Sequence, residues 1–168
     1  MQKLINSFKA TPVKERLRTG EVVDLSERYR TSELSSFDGV PTVYYDIYLH
    51  GTDHRVGKCD LRLKLDKRMY YYGHIGYNII PEERGHHYAY HACRVLFEVA
   101  RREFGFKELY ITCNPDNEAS YKTLKALKGE LVEVAEIPHD HELYRGGDKY
   151  KCVFRYRIDL NDGKDKQH

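Results

Sequence analysis

The stretch from Gly73 to Asn114 constrains this chain more than any other, because its hydrophobic period changes twice in quick succession. GHIGYNII, ending at Pro81, alternates as a strand does, and the charged turn Glu82-Glu83-Arg84-Gly85 follows it. From Tyr88 to Phe104 the apolar positions Ala89, Ala92, Leu96, Val99 and Ala100 recur at helical spacing, with Arg94, Glu98, Arg101 and Arg102 left for the other side. Gly105 stops that helix, and Leu109, Ile111 and Cys113 then alternate with Tyr110 and Thr112 up to Asn114-Pro115. Strand, helix and strand in this order form a crossover, which needs a sheet to pack on.

The flanking segments supply that sheet. A short strand is expected at Val22 to Leu25, then a polar stretch, Ser26 to Asp38, with room for a brief helix before Gly39. After Pro41, TVYYDIYL and RVGKCDLRLKL form a hairpin about the turn His50 to Asp53. Beyond the crossover a second helix is expected from about Asn117 to Lys128, with Asp116 or Asn117 as its cap and Gly129 at its end. Two closing strands, Leu131 to Ile137 and Lys149 to Ile158, flank the loop Pro138 to Asp148. The fold class is α/β (α+β), with a mixed, mostly antiparallel sheet of about six to seven strands.

A chain of 168 residues has room for about one domain, so two independent catalytic domains are ruled out. That domain is expected over residues 1–160, with 161–168, NDGKDKQH, as a mobile polar tail. No apolar run approaches the roughly 18 residues of a membrane span, and the mixed N-terminus lacks the apolar centre of a secretory signal, so the expected address is the cytoplasm. Lys and Arg total 28 against 26 Asp and Glu, a near-balance that gives no reason to expect a nucleic-acid partner. Cys59, Cys93, Cys113 and Cys152 lie far apart without a CxxC pair and read as reduced core thiols. The 15 tyrosines, with no Trp beside them, imply many half-buried rings and leave room for a homodimer through a tyrosine-rich sheet surface.

The crossover is also where chemistry is expected. A strand, a turn containing Gly85 and a long helix place the first N–H groups of that helix in the turn, where they form an anion cradle with Arg84 beside it. Any well-capped helix with a glycine before it would look the same, so the cradle alone decides nothing. His86, His87 and His91, with His139 and His141 further on, raise a metal site. The HExxH arrangement is absent, no Cys stands near, and the cluster overlaps the anion cradle, so no metal is expected. Tyr70-Tyr71-Tyr72 among Arg62, Lys64, Lys67 and Arg68 could stack single-stranded nucleic acid, but fits better as sheet surface.

Larger patterns resemble the GNAT superfamily of acetyl-CoA-dependent N-acetyltransferases over roughly residues 40 to 160. Gly76-Tyr77-Asn78-Ile79-Ile80-Pro81 with Arg84-Gly85-His86-His87-Tyr88-Ala89 is similar to that family's acetyl-CoA strand and pyrophosphate loop. Asn117-Glu118-Ala119-Ser120 is similar to its second cofactor motif. GHIGY, DNEAS and the closing RYRIDL resemble a bacterial subgroup of acetyltransferases. His87 departs from the pattern, standing where the family usually carries glycine; it must lean aside or offer the phosphate a donor of its own.

The resemblance implies acetyl transfer from acetyl-CoA, as co-substrate, to a primary amine by direct attack. Cofactor binding falls to Asn78, Ile79, Ile80, Arg84, Gly85, His86, His87, Tyr88, Ala89, Asn117 and Ser120. The acceptor amine must lose a proton, and His74, sharing a strand face with Asn78 and Ile80, is the candidate base, or else a satisfied sheet histidine. Ser120, with Tyr121 behind it, is the candidate donor to the leaving thiolate, or else only ties off a helix start. Many members carry a tyrosine where Thr123 stands here. The alternatives are a catalytically weak CoA-binding or regulatory module of the same fold, and a histidine-based metal protein. The acceptor, a small molecule or a protein N-terminus, is expected to meet residues 26–40, 66–72 and 138–148, where Asp140, Glu142 and Tyr144 could steer a cation.

Overall fold

The structure, a computed structural model, describes residues 17–36 and 38–159; the expected polar tail 161–168 lies outside them. Eight strands are present: β1 (Leu17–Thr19), β2 (Val23–Arg30), β3 (Thr42–Leu49), β4 (Arg55–Arg62), β5 (Ile75–Ile79), β6 (Glu108–Cys113), β7 (Glu130–Glu136) and β8 (Tyr150–Arg157). The helices are α1 (Tyr88–Phe104), α2 (Glu118–Ala126) and the short α3 (Glu142–Arg145).

Alternation built the first sheet. On β3, Val43, Tyr45 and Ile47 are fully buried on one face, while Tyr44 and Asp46 point to the other. Hydrogen bonds order this sheet β1-β2-β3-β4-β5, antiparallel throughout. Its inner face takes the apolar stripe of α1, Ala92, Cys93, Leu96, Val99 and Ala100. The brief helix expected within 26–38 does not form among the described residues; the strand continues to Arg30, with a bulge between Glu27 and Tyr29. Its composition reads as loop because the far end of β2, Arg28 to Arg30, is exposed, and because the polar Asp24 and Ser26 are buried within the strand.

The other three strands pair as β6-β8-β7 in a second antiparallel sheet. The mostly antiparallel character expected of the fold therefore holds, with the strands divided five and three. The sheets meet at the start of β5, where Gly73 bridges to Ile111 and the His74 amide donates to Tyr110 O at 2.8 Å. Gly73 has φ +72, and a Cβ there would stand 2.9 Å from Tyr110 O, so only glycine lets the two backbones touch. Beyond that point no ladder joins β5 to β6 among the described residues, and the two strands bound a wedge.

Asn117 caps α2 by accepting from the Ser120 amide at 3.1 Å. The helix ends with Lys128 in the left-handed region, φ 65, and not with Gly129 as expected; the Tyr156 ring occupies the space a Gly129 side chain would need. All four cysteines are free and buried. Among the described residues no helix is long and apolar enough to cross a membrane.

Candidate active site

The wedge exposes one edge of β5, and the register says which groups line it. Arg62 N donates to His74 O at 2.7 Å and Ile80 N to Val56 O at 2.9 Å, the two ends of the β4–β5 ladder. Bonded and non-bonded pairs alternate between those ends. Gly76, Asn78 and Ile80 therefore turn their backbone groups to β4, whereas Tyr77 and Ile79 turn theirs into the wedge. Of the expected strand residues Asn78, Ile79 and Ile80, only Ile79 addresses the open edge; Tyr77 joins it.

Past the strand, Pro81–Glu83 make one 3₁₀ turn, Arg84 is extended, and Gly85 adopts φ +91. His87 precedes α1 at φ 61, ψ 24, without a side-chain cap. This settles how the chain accommodates histidine at a glycine position: the backbone keeps the left-handed conformation and the imidazole stays off the helix end. The amides from Gly85 to Tyr90 donate to no acceptor among the described residues. Arg84 bonds Ile79 O through Nε at 3.2 Å, closing the turn onto the strand, and has no carboxylate partner among the described residues. A run of free donors, a helix dipole and a guanidinium thus converge at the mouth of the wedge.

Ser120 faces the same wedge from α2. Tyr77 Oη donates to Ser120 Oγ at 3.1 Å. Burial pushes the Tyr77 phenol up to about 12, so it stays protonated at neutral pH. Sequence reasoning passed over Tyr77 because it shares a face with the core residues Ile75 and Ile79; a hydroxyl on an otherwise apolar face was the available signal. The ring of Tyr121, the second candidate donor, packs edge-on against Phe154, 5.5 Å between centroids. Thr123 Oγ1 returns to Ala119 O within the helix.

His74 is placed for a different task from the one expected. Its Nδ1 accepts from the Tyr110 amide at 2.9 Å and its ring lies against Phe106 and Tyr110. Burial, then the Arg62 charge, pulls its pKa down to about 4. With Nδ1 engaged, the neutral ring carries its proton on Nε2 and offers no basic lone pair. It clasps the two sheets at the closed end of the wedge.

The segments expected to form the acceptor wall do meet. Arg68 pairs with Glu142 at 2.6 Å, Tyr72 Oη donates to the same carboxylate at 3.0 Å, and His141 Nε2 lies 2.9 Å from Arg68 O. Hydrogen bonding from Arg68 holds Glu142 down to about 2, and its charge is already matched, which leaves it little to offer an incoming cation. His86 stacks beside Tyr88, and no group of three or more His, Cys, Asp and Glu side chains converges among the described residues.

The site thus consists of an open strand edge beside a helix start whose first amides have no acceptor among the described residues. Residues 11–130 match the family model for the acetyltransferase (GNAT) domain, and the chain belongs to the GNAT acetyltransferases. Similar solved structures include an acetyltransferase (GNAT family) from Bacillus anthracis, 17% identical, TM-score 0.55, covering 70% of this chain and 67% of that one. The ribosomal-protein-S5-alanine acetyltransferase from Vibrio fischeri is 19% identical, TM-score 0.56, over 70% and 62%. The ribosomal L7/L12 alpha-N-protein acetyltransferase in complex with coenzyme A is 12% identical, TM-score 0.61, over 85% and 98%. At such identities the likeness concerns the fold. No curated protein matches.

Proposed function

We propose that this chain transfers an acetyl group from acetyl-CoA to a primary amine by direct attack within a ternary complex. Acetyl-CoA is the co-substrate that family membership implies, and the residues fit it on two counts. Six successive amides, Gly85 to Tyr90, lack acceptors among the described residues, as a diphosphate site requires. The edge of β5 at Tyr77 and Ile79 has no strand partner among the described residues, with only the Ile79 carbonyl taken by Arg84, which leaves its amides for an amide-bearing arm.

When bound, acetyl-CoA supplies an activated acetyl thioester. Arg84 and the Gly85–Tyr90 amides hold the anionic end, with His86, His87, Tyr88 and Ala89 contributing backbone. The Tyr77 and Ile79 amides orient the arm, and an edge N–H aimed at a carbonyl oxygen stabilises the negative charge that grows there. The Tyr77–Ser120 hydroxyl pair would supply a proton to the departing sulfur, Ser120 Oγ giving its own, Tyr77 Oη replacing that one and regaining a proton from solvent. Asn117 fixes the start of α2 and so the position of Ser120. No cysteine serves as nucleophile: burial raises Cys59 and Cys93 well above the ordinary thiol range.

The run of free amides beside an unpaired strand edge carries this reading. Calorimetric titration with acetyl-CoA tests it, using wild type, Arg84→Ala and Gly85→Glu. Micromolar binding by wild type is expected, weakened at least tenfold in Arg84→Ala and abolished in Gly85→Glu, whose carboxylate enters the cradle. Absence of binding by wild type would refute the assignment.

A further inference from the structure

The outer face of the five-stranded sheet, opposite α1, carries a cavity of about 320 Å³ whose lining includes Arg28, Tyr29, Tyr44, Lys58, Asp60 and Asn78. Asp60 lies directly across from Gly76 in the β4–β5 ladder. Its Oδ1 would stand 2.8 Å from a Cβ on Gly76, so the missing side chain is what lets this carboxylate lie over β5, one residue from Tyr77 and the open edge. Asp60 Oδ2 is buried and accepts no hydrogen bond among the described residues, with Arg62 Nη2 at 3.4 Å. Burial raises the Asp60 pKa, against the opposing charges of Arg62 and Lys58. A desolvated carboxylate that Arg62 reaches at only 3.4 Å, with one oxygen left without a hydrogen bond among the described residues, has room for a closer cationic donor beside the reaction edge.

A second ionic group lies nearby. Lys58 shares the outer face two residues along β4 and has no ion pair among the described residues, which puts it about 7 Å from Asp60 along the strand. An ammonium and a carboxylate on one carbon span the gap between an acid and a base so spaced. Beyond them the stacked rings of Tyr29 and Tyr44, 4.5 Å apart, offer an apolar wall, and Arg28 is already committed to Asp46.

We propose that this cavity is the acceptor site and takes an α-amino acid, its ammonium on Asp60 and its carboxylate on Lys58. Asp60 then also receives the first proton: one N–H bond breaks, one O–H bond forms, the electron pair stays on nitrogen, and the carboxyl later returns the proton to solvent. The inference rests on the acetyl-transfer reading for the location of the reacting edge.

Binding separates the two readings. The full chain is titrated with each common α-amino acid, with phenethylamine and with 3-phenylpropionate, and separately with acetyl-CoA, as wild type, Asp60→Asn, Lys58→Met and Gly76→Ala. At least one amino acid should bind to wild type and lose tenfold or more in Asp60→Asn and Gly76→Ala. Lys58→Met should weaken the amino acid at least tenfold while leaving phenethylamine unchanged, and 3-phenylpropionate should be insensitive to Asp60→Asn. Acetyl-CoA affinity should match wild type in Asp60→Asn and Lys58→Met. Failure of wild type to bind any amino acid while acetyl-CoA binds overturns this inference alone, as does an amino-acid affinity indifferent to Asp60→Asn. Amino-acid binding without acetyl-CoA binding upholds the cavity and removes the transferase.

Discussion

His87 adopts a conformation that glycine adopts at no cost, φ 61 with ψ 24, at the point where the anion loop turns into α1. An L residue there gives up about 1–2 kcal/mol relative to the right-handed region, more when β-branched. Reverting to glycine relieves that strain but loosens the unfolded chain by about 0.4–1 kcal/mol, so the two effects nearly cancel. Urea unfolding should therefore place His87→Gly within about 1 kcal/mol of wild type, and His87→Val about 2 kcal/mol or more below it. A glycine variant as unstable as the valine one would mean that the imidazole itself makes a contact the fold needs. At this scale the sequence was legible for the turn at Gly85 and for Asn117 as the cap of α2, which follow from turn and helix-start chemistry. It was silent on Asp60, whose position over β5 depends on a glycine in another strand.

Between elements, the His74–Tyr110 hydrogen bond joins the strand that carries the site to the second sheet, and burial of that ring, with the Arg62 charge beside it, makes folding sensitive to acid. His74 has a pKa of about 4 when folded against an ordinary 6.5. Above pH 6.5 the ring is neutral in both states and the bond contributes fully. As pH falls from 6.5 towards 4 the unfolded chain takes up a proton that the folded chain refuses, and stability declines by about 3 kcal/mol; below 4 this contribution stays flat. Denaturation midpoints at pH 7, 5.5 and 4.5 should fall accordingly in wild type, with the His74→Gln variant showing a shallower slope. Equal slopes would show that other groups dominate acid sensitivity. α1 was readable to the residue, because one apolar stripe and a closing glycine bound it, and α2 nearly so, whereas α3, a single turn inside the expected loop 138–148, was not. β1, three residues long at a sheet edge, and the outer half of β2 were not, since neither holds enough alternating apolar positions to stand out from a loop.

Across the whole molecule, the two sheets touch at Gly73 and part beyond it, and that divergence creates the open edge. Edge amides without partners exchange quickly with solvent, whereas those deep in the β2–β3–β4 ladder exchange slowly. Addition of acetyl-CoA should slow exchange at Tyr77, Ile79 and Gly85 to Tyr90, leaving Val43 and Ile47 as they were. Protection confined to residues 85–90 would place the arm of the cofactor away from the strand. The sequence by itself determined the strand-helix-strand crossover at 73–114, the mostly antiparallel sheet and the buried cysteines, because each follows from local period or local turn chemistry. Only the tertiary structure decided that the strands divide five and three, that the Tyr77 hydroxyl meets Ser120, that His74 clasps the two sheets, that Asp60 lies buried over β5 beside Arg62, and that Glu142 is already paired. Those outcomes depend on which residues meet across the chain, and a strand's alternation names its two faces without naming what lies opposite either one.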